Sequence, residues 1–139
     1  RQRQMCIRDS AWTVHGQGLD ELATSGPTEV AEWRDGAVRR FQVTPEDAGL
    51  SRSPIDAIRG GDAEENAAAL RALLAGQAGA YRDIVLLNAA AALVVADKAA
   101  DLAEGAVLAA AAIDDGRAAQ ALERLARITT TPLDPEADA

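Results

Sequence analysis

Aromatic residues are scarce in this sequence: Phe, Trp and Tyr together make up 3% of the 139 residues, although 48% of the residues are hydrophobic. The apolar bulk therefore comes mainly from Ala and Leu, which excludes a core built on large rings. Ala has the best intrinsic helix propensity, and its small side chain lets neighbouring backbones approach closely. The composition favours a modest core of tightly packed helices.

Cysteine and long apolar runs are also nearly absent. The single cysteine, Cys6, excludes an internal disulfide and a cysteine metal cluster. It fits a reducing cytoplasm, which is where we expect the chain to act. The longest apolar run, residues 84–96, contains Asn88 and is too short to span a bilayer, so we expect no membrane partner.

Positive charge is in deficit, with a formal net charge of -8 and a pI near 4.6. Repulsion makes nucleic acid and anionic membrane surfaces unfavourable general partners. An anionic small substrate stays compatible with this charge, because metal ions or backbone amides can screen a local site.

The first ten residues differ from the rest because they lack apolar periodicity. Residues 5–9 can be back-translated as ATG-TGT-ATA-AGA-GAC, which matches a transposon end used in preparing sequencing libraries. We therefore expect residues 1–10 to be a non-native leader and Ala11 to mark a truncation point. A natural, disordered leader is the alternative.

The remaining sequence predicts an α/β fold with one strand, a β-hairpin and about four helices. The strand covers residues 11–15, a helical turn follows at 19–23, and the hairpin covers 28–43 around Asp35 and Gly36. Helices are predicted at 62–74, at 81–96, from about 101 and after 114–116, and residues 129–139 are predicted to be a flexible tail. A lone strand beside a two-stranded hairpin is marginal, so we expect sheet partners to be missing.

The most informative segment is Gly-Gln-Gly-Leu-Asp-Glu at residues 16–21. Two glycines free the backbone after the strand, and the adjacent carboxylates of Asp20 and Glu21 can converge in a loop. Hard oxygen ligands of this kind suit Mg²⁺, which takes one or two carboxylates plus phosphate and water. On spacing alone, a plain turn with helix-capping acids is the stronger interpretation.

Other polar residues offer weaker candidates. His15 could act as a general base, but a strand-end histidine is the simpler interpretation. Residues 60–62 could bind phosphate, although Asp62 would repel an anion and is better explained as a helix cap. Asn88 requires hydrogen-bond partners if it is buried, which favours a structural contact.

Several motifs taken together resemble one enzyme family. VHGQGLDELATSGPTEVAE at 14–32 resembles the acidic metal-motif segment of anthranilate phosphoribosyltransferases. The resemblance continues through VTPEDAGL, RGGDAEENA, RDIVLLNAAAAL and DDGRAAQALERL, and it covers residues 12–128. It implies the C-terminal part, residues 11–128, of the larger α/β domain in a nucleoside phosphorylase/phosphoribosyltransferase-like fold.

The resemblance also implies a reaction. The family joins anthranilate to phosphoribosyl pyrophosphate in tryptophan biosynthesis, usually as a homodimer, and Asp20 and Glu21 match its Mg²⁺-binding pair. The family's phosphate loop and anthranilate-contacting arginine lie upstream of Ala11, so we assign no residue of this chain to anthranilate and expect no activity from the chain alone. Two alternatives are a non-catalytic relative that binds another ligand or nucleic acid, and a free-standing helical interaction module.

Overall fold

A computed structural model describes residues 10–131, which form a small antiparallel sheet followed by helices. The α/β prediction is confirmed. The predicted leader at 1–10 and tail at 129–139 lie mostly outside the described residues. Within the described part, Ser10 begins the first strand and the last helix continues to Thr130. The elements are β1 Ser10–Gly16, β2 Thr28–Arg34, β3 Ala37–Val43, α1 Ala63–Leu74, α2 Ala80–Val95, α3 Leu102–Asp114 and α4 Arg117–Thr130, with short 3-10 helices at Pro45–Ala48 and Ile55–Ile58.

The sheet has the order β1-β2-β3, and both pairings are antiparallel. Val14 of β1 lies opposite Val30 of β2, and Val30 lies opposite Phe41 of β3. The expectation that the first strand lacks a partner is therefore wrong. Loop 17–27 reverses the chain and returns β2 alongside β1, so three strands share one apolar face and satisfy each other's backbone groups.

The predicted hairpin turn between β2 and β3 is confirmed. Asp35 and Gly36 have φ values of 52° and 82°. Positive φ at both central residues is the requirement of a type I′ turn, whose twist matches that of the flanking strands. The turn holds Glu32 opposite Arg39 on the face that packs against the helices.

The helices meet the sheet through small side chains, as the composition predicts. The main core joins Val30 and Val43 of the sheet to Leu87, Ala90 and Ala106 of α2 and α3. These two helices approach so closely that a Cβ added to Gly105 would lie 2.8 Å from the Cα of Ala90.

Helix starts follow the predicted local signals. Asp62 accepts hydrogen bonds from the Glu64 and Glu65 amides in a capping box, and Asp101 accepts one from Glu104. No helix in residues 10–131 combines the length and the apolar character needed to cross a membrane.

Candidate metal-binding loop

The loop after β1 starts with a tight reversal. The Gly16 amide donates to the Leu19 carbonyl at 3.1 Å, and the Leu19 amide donates back to the Gly16 carbonyl at 2.9 Å. Gln17 and Gly18 turn the chain with φ values of 53° and 87°. The helical turn predicted at 19–23 is therefore wrong, because Leu19 is bonded back to Gly16 and the chain then runs on as an irregular segment.

Asp20 and Glu21 follow this turn, and both are exposed. Within residues 10–131 neither carboxylate makes a hydrogen bond or an ion pair, in contrast to acids such as Asp114, which Arg82 binds at 2.8 Å. Both acids line one open groove of about 360 Å³. The other residues of that groove are Leu19, Ile58, Tyr81 and Ile84.

The chain is anchored immediately after the acids by a side chain from α2. The amide of buried Leu22 donates to Oδ1 of Asn88 at 2.9 Å, and Nδ2 of Asn88 donates to the Leu22 carbonyl at 3.0 Å. Nδ2 also donates to the Ile84 carbonyl at 3.0 Å. The expectation that Asn88 makes a structural polar contact is confirmed.

A second anchor lies at the start of β2, opposite the last residue of β1. Thr28 is fully buried, and its Oγ1 accepts a hydrogen bond from the Ala23 amide at 3.0 Å. Gly16 packs under this segment so closely that an added Cβ would lie 2.6 Å from the Glu21 carbonyl oxygen and 2.7 Å from both the Ala23 nitrogen and Thr28 Oγ1. The backbone that carries the two acids is therefore packed against Gly16 and hydrogen-bonded to Thr28.

The other candidate residues have different roles. His15 is exposed on β1. The Gly61 amide donates to Asn66 Oδ1, and Asp62 caps α1, which confirms the prediction that Asp62 is a helix cap. Several arginines pair with acids, among them Arg52 with Glu46, Arg59 with Asp56 and Arg82 with Asp114.

A buried carboxylate that sequence reasoning missed lies on the inner sheet face. Glu32 is 6% exposed and accepts hydrogen bonds from the Trp12 indole at 3.0 Å and from Arg39 at 2.8 Å. The Trp12 hydrogen bond, then Arg39 and Arg34, lower the pKa of the Glu32 carboxyl against the opposing effect of burial. The strand register, which places Glu32 between Trp12 and Arg39, is the signal that would have found it.

The two carboxylates of the loop fit a Mg²⁺ ion whose remaining ligands are water and phosphate oxygens. No group of three or more His, Cys, Asp or Glu side chains that could hold a metal exists within residues 10–131. Mg²⁺ is commonly held by only one or two carboxylates, with water and substrate phosphate oxygens completing its octahedron. Asp20 and Glu21 therefore match the number and type of side chains that proteins commonly supply to such a site.

One protein family matches most of the chain. The family described as "Glycosyl transferase family, a/b domain" matches residues 4–119. The chain therefore belongs to the glycosyl transferase family, in its α/β domain.

Within that family, the chain is similar to anthranilate phosphoribosyltransferases, as its motifs predicted. It is 63% identical over 122 residues to the enzyme of Parvibaculum lavamentivorans, covering 87% of this chain and 36% of the relative. The solved structure of the Thermus thermophilus enzyme matches with 40% identity and a TM-score of 0.75, over 83% of this chain and 34% of that one. The Saccharomyces cerevisiae enzyme in complex with PRPP and Mg matches with 28% identity and a TM-score of 0.73, over 81% and 33%.

The likeness in fold confirms the predicted phosphoribosyltransferase-like class. The chain spans about a third of the length of the relatives that it matches.

Proposed function

We propose that this chain is part of an anthranilate phosphoribosyltransferase of tryptophan biosynthesis, and that Asp20 and Glu21 are its Mg²⁺ ligands. The names of the similar proteins support the reaction, and the yeast relative is described in complex with PRPP and Mg. The observation that carries the site assignment is the pair of exposed carboxylates, without a bonded partner in residues 10–131, on a loop anchored by Asn88 and Thr28. The complete protein is expected to act in the cytoplasm as a homodimer.

The chemistry explains why two acids are needed. In the transfer, the bond between ribosyl carbon and pyrophosphate breaks, and the amino group of anthranilate forms the new bond to that carbon and loses a proton. Mg²⁺ bound at this loop would neutralise the charge on the departing pyrophosphate. The two carboxylates contribute oxygen ligands, and they bring negative charge to a reaction in which the ribosyl carbon becomes cation-like.

The anchored backbone adds a second contribution. Rotamers and loop conformations that are fixed before the substrate arrives cost no ordering entropy when it binds. The Gly16 turn and the two anchors restrict the peptide groups on both sides of the acids, so this loop contributes positioning without supplying a nucleophile.

The direct test is metal binding by the chain, with Mn²⁺ as a paramagnetic substitute for Mg²⁺. Titration of the ¹⁵N-labelled chain should broaden the amide signals of residues 19–22 first. The double variant Asp20→Asn with Glu21→Gln should lose this selective broadening.

The control is a second pair of adjacent carboxylates. Asp114 and Asp115 are bound by Arg82 and Arg117, so Asp114→Asn with Asp115→Asn removes the same charge elsewhere and should leave the broadening at 19–22 intact. In the complete protein, the Asp20→Asn and Glu21→Gln pair should raise the Mg²⁺ concentration needed for turnover. Unchanged broadening and unchanged magnesium dependence would remove the site assignment.

A further inference from the structure

Asn88 lies within the predominantly apolar helix α2, yet its side chain is directed to a loop residue 66 positions earlier in the chain. Placing an amide among apolar neighbours is unfavourable unless its polar atoms are bonded. Two of its three hydrogen bonds leave the helix, and both go to Leu22. The backbone groups of α2 are already hydrogen-bonded within the helix. The two bonds from Asn88 to Leu22 therefore restrain the loop.

The geometry shows which part of the loop is restrained. The Leu22 amide belongs to the peptide group that joins Glu21 to Leu22, and Asn88 Oδ1 accepts from it at 2.9 Å. The carbonyl end of the same peptide group is the Glu21 oxygen, which packs against the open face of Gly16. One peptide group is therefore hydrogen-bonded to a side chain of α2 at its N–H and packed against Gly16 of β1 at its carbonyl oxygen.

Holding this plane restricts Glu21. A peptide plane fixed at its N–H and its C=O fixes the ψ angle of the residue before it, and hence the direction in which that residue's side chain leaves the backbone. The Gly16–Leu19 turn restrains the chain on the other side of Asp20. The acids thus project from a short segment that is restrained at both ends.

We propose that Asn88 is a positioning residue for the metal site: by fixing the Glu21–Leu22 peptide it directs the Asp20 and Glu21 carboxylates toward one groove before a cation binds. The proposal rests on the proposed function, in that it assumes these two acids to be the ligands. Groups that orient metal ligands through hydrogen bonds typically change metal affinity by about 10- to 100-fold when they are removed. Because Asn88 acts through the backbone, the lower end of that range, roughly tenfold, is expected.

The chain contains a matched control. Asn66 bonds the amide and the carbonyl of Gly61, at 2.9 and 3.0 Å, in the same two-way arrangement that Asn88 makes with Leu22. Asn66→Ala therefore removes an equivalent pair of hydrogen bonds from a loop that contains neither Asp20 nor Glu21. A contribution to stability alone would affect the two variants through unfolding, whereas positioning predicts an effect on metal affinity for Asn88 alone.

The experiment compares the ¹⁵N-labelled wild type with Asn88→Ala, Asn66→Ala and the Asp20→Asn, Glu21→Gln pair, below the melting transition of every protein. Mn²⁺ affinity is read from amide broadening at residues 19–22, and metal-free hydrogen exchange is read at Leu22. Asn88→Ala should bind Mn²⁺ roughly tenfold more weakly and exchange the Leu22 amide faster, while Asn66→Ala should match the wild type in both.

The affinity measurements distinguish the positioning role of Asn88 from the metal-ligand role of Asp20 and Glu21. Wild-type Mn²⁺ affinity in a folded Asn88→Ala protein overturns the positioning role. Wild-type affinity in the Asp20→Asn, Glu21→Gln pair instead overturns the proposed function itself. If Asn88→Ala does not fold, Asn88→Ser replaces it, because a serine hydroxyl can donate to the Ile84 carbonyl within the helix but is too short to restore the two-way pairing with Leu22. Wild-type Mn²⁺ affinity in Asn88→Ser then overturns the positioning role, and weaker affinity supports it.

Discussion

Replacing Gly16 with alanine tests whether the loop depends on close packing beneath it. The added Cβ would lie 2.6 Å from the Glu21 carbonyl oxygen, 2.7 Å from the Ala23 nitrogen and 2.7 Å from Thr28 Oγ1. Two of these atoms belong to the backbone and the third is on a fully buried residue, so none can move aside as a flexible side chain would. The loop must lift away from β1 to accept the methyl group.

The effect of Gly16→Ala on the free energy of unfolding has contributions of opposite sign. Forcing a methyl group into a packed site costs about 1–3 kcal/mol. Lifting the loop also weakens the hydrogen bond from Ala23 to Thr28, worth about 0.5–1.5 kcal/mol. The reduced entropy of the unfolded chain after a Gly→Ala change offsets about 0.4–1 kcal/mol of this. We therefore expect Gly16→Ala to lower the free energy of unfolding by about 0.5–4 kcal/mol.

Urea denaturation of the chain, followed by circular dichroism and tryptophan fluorescence, measures this difference. Gly26→Ala is the control, because the nearest atoms to its added Cβ would belong to the side chain of exposed Gln17, at 3.2 Å. That side chain can rotate away, so the control should lose much less stability. A Gly16→Ala protein as stable as the wild type would show that the close approach of loop and strand is not a constraint.

Two further predictions concern the core and the sheet. Gly105→Ala should lower the melting temperature, at a cost of about 1–3 kcal/mol, because its Cβ would meet the Ala90 Cα at 2.8 Å; an unchanged calorimetric melt would contradict this. Glu32→Gln should be less stable than the wild type at pH 7, and the difference should shrink as pH falls below the ordinary glutamate value of 4.5. The sign follows from the lowered pKa of Glu32, since stability from a depressed carboxyl pKa is present above its unfolded value and lost in acid. A pH-independent difference in chemical denaturation would refute it.

Local signals in the sequence predicted most individual elements correctly. Asp35 and Gly36 identified the hairpin turn, and Asp62 and Asp101 identified two helix starts. Each depends on groups within a few positions along the chain, where backbone sterics and capping decide the conformation. The segment at 19–23 is the exception, because a turn closed by Gly16 and Leu19 replaced the predicted helical turn.

The candidate site also has some features that the sequence predicted and others that it did not. The acid pair was predicted from the resemblance of residues 14–32 to the family's metal motif, whereas spacing alone favoured a plain turn with helix-capping acids. The contacts of Asn88 with Leu22 could not be predicted, because they join positions 66 residues apart and depend on where α2 packs. The burial of Glu32 was missed for a related reason: period-two alternation does not say which face of a strand is covered.

The sequence by itself therefore determined the hairpin and the helices, because these follow from interactions between near neighbours. Only the tertiary structure decided that β1 pairs with β2, that Glu32 is buried beside Trp12, and that α2 holds the loop carrying Asp20 and Glu21. Those features require distant segments to meet, and burial of apolar surface over the whole fold selects that arrangement.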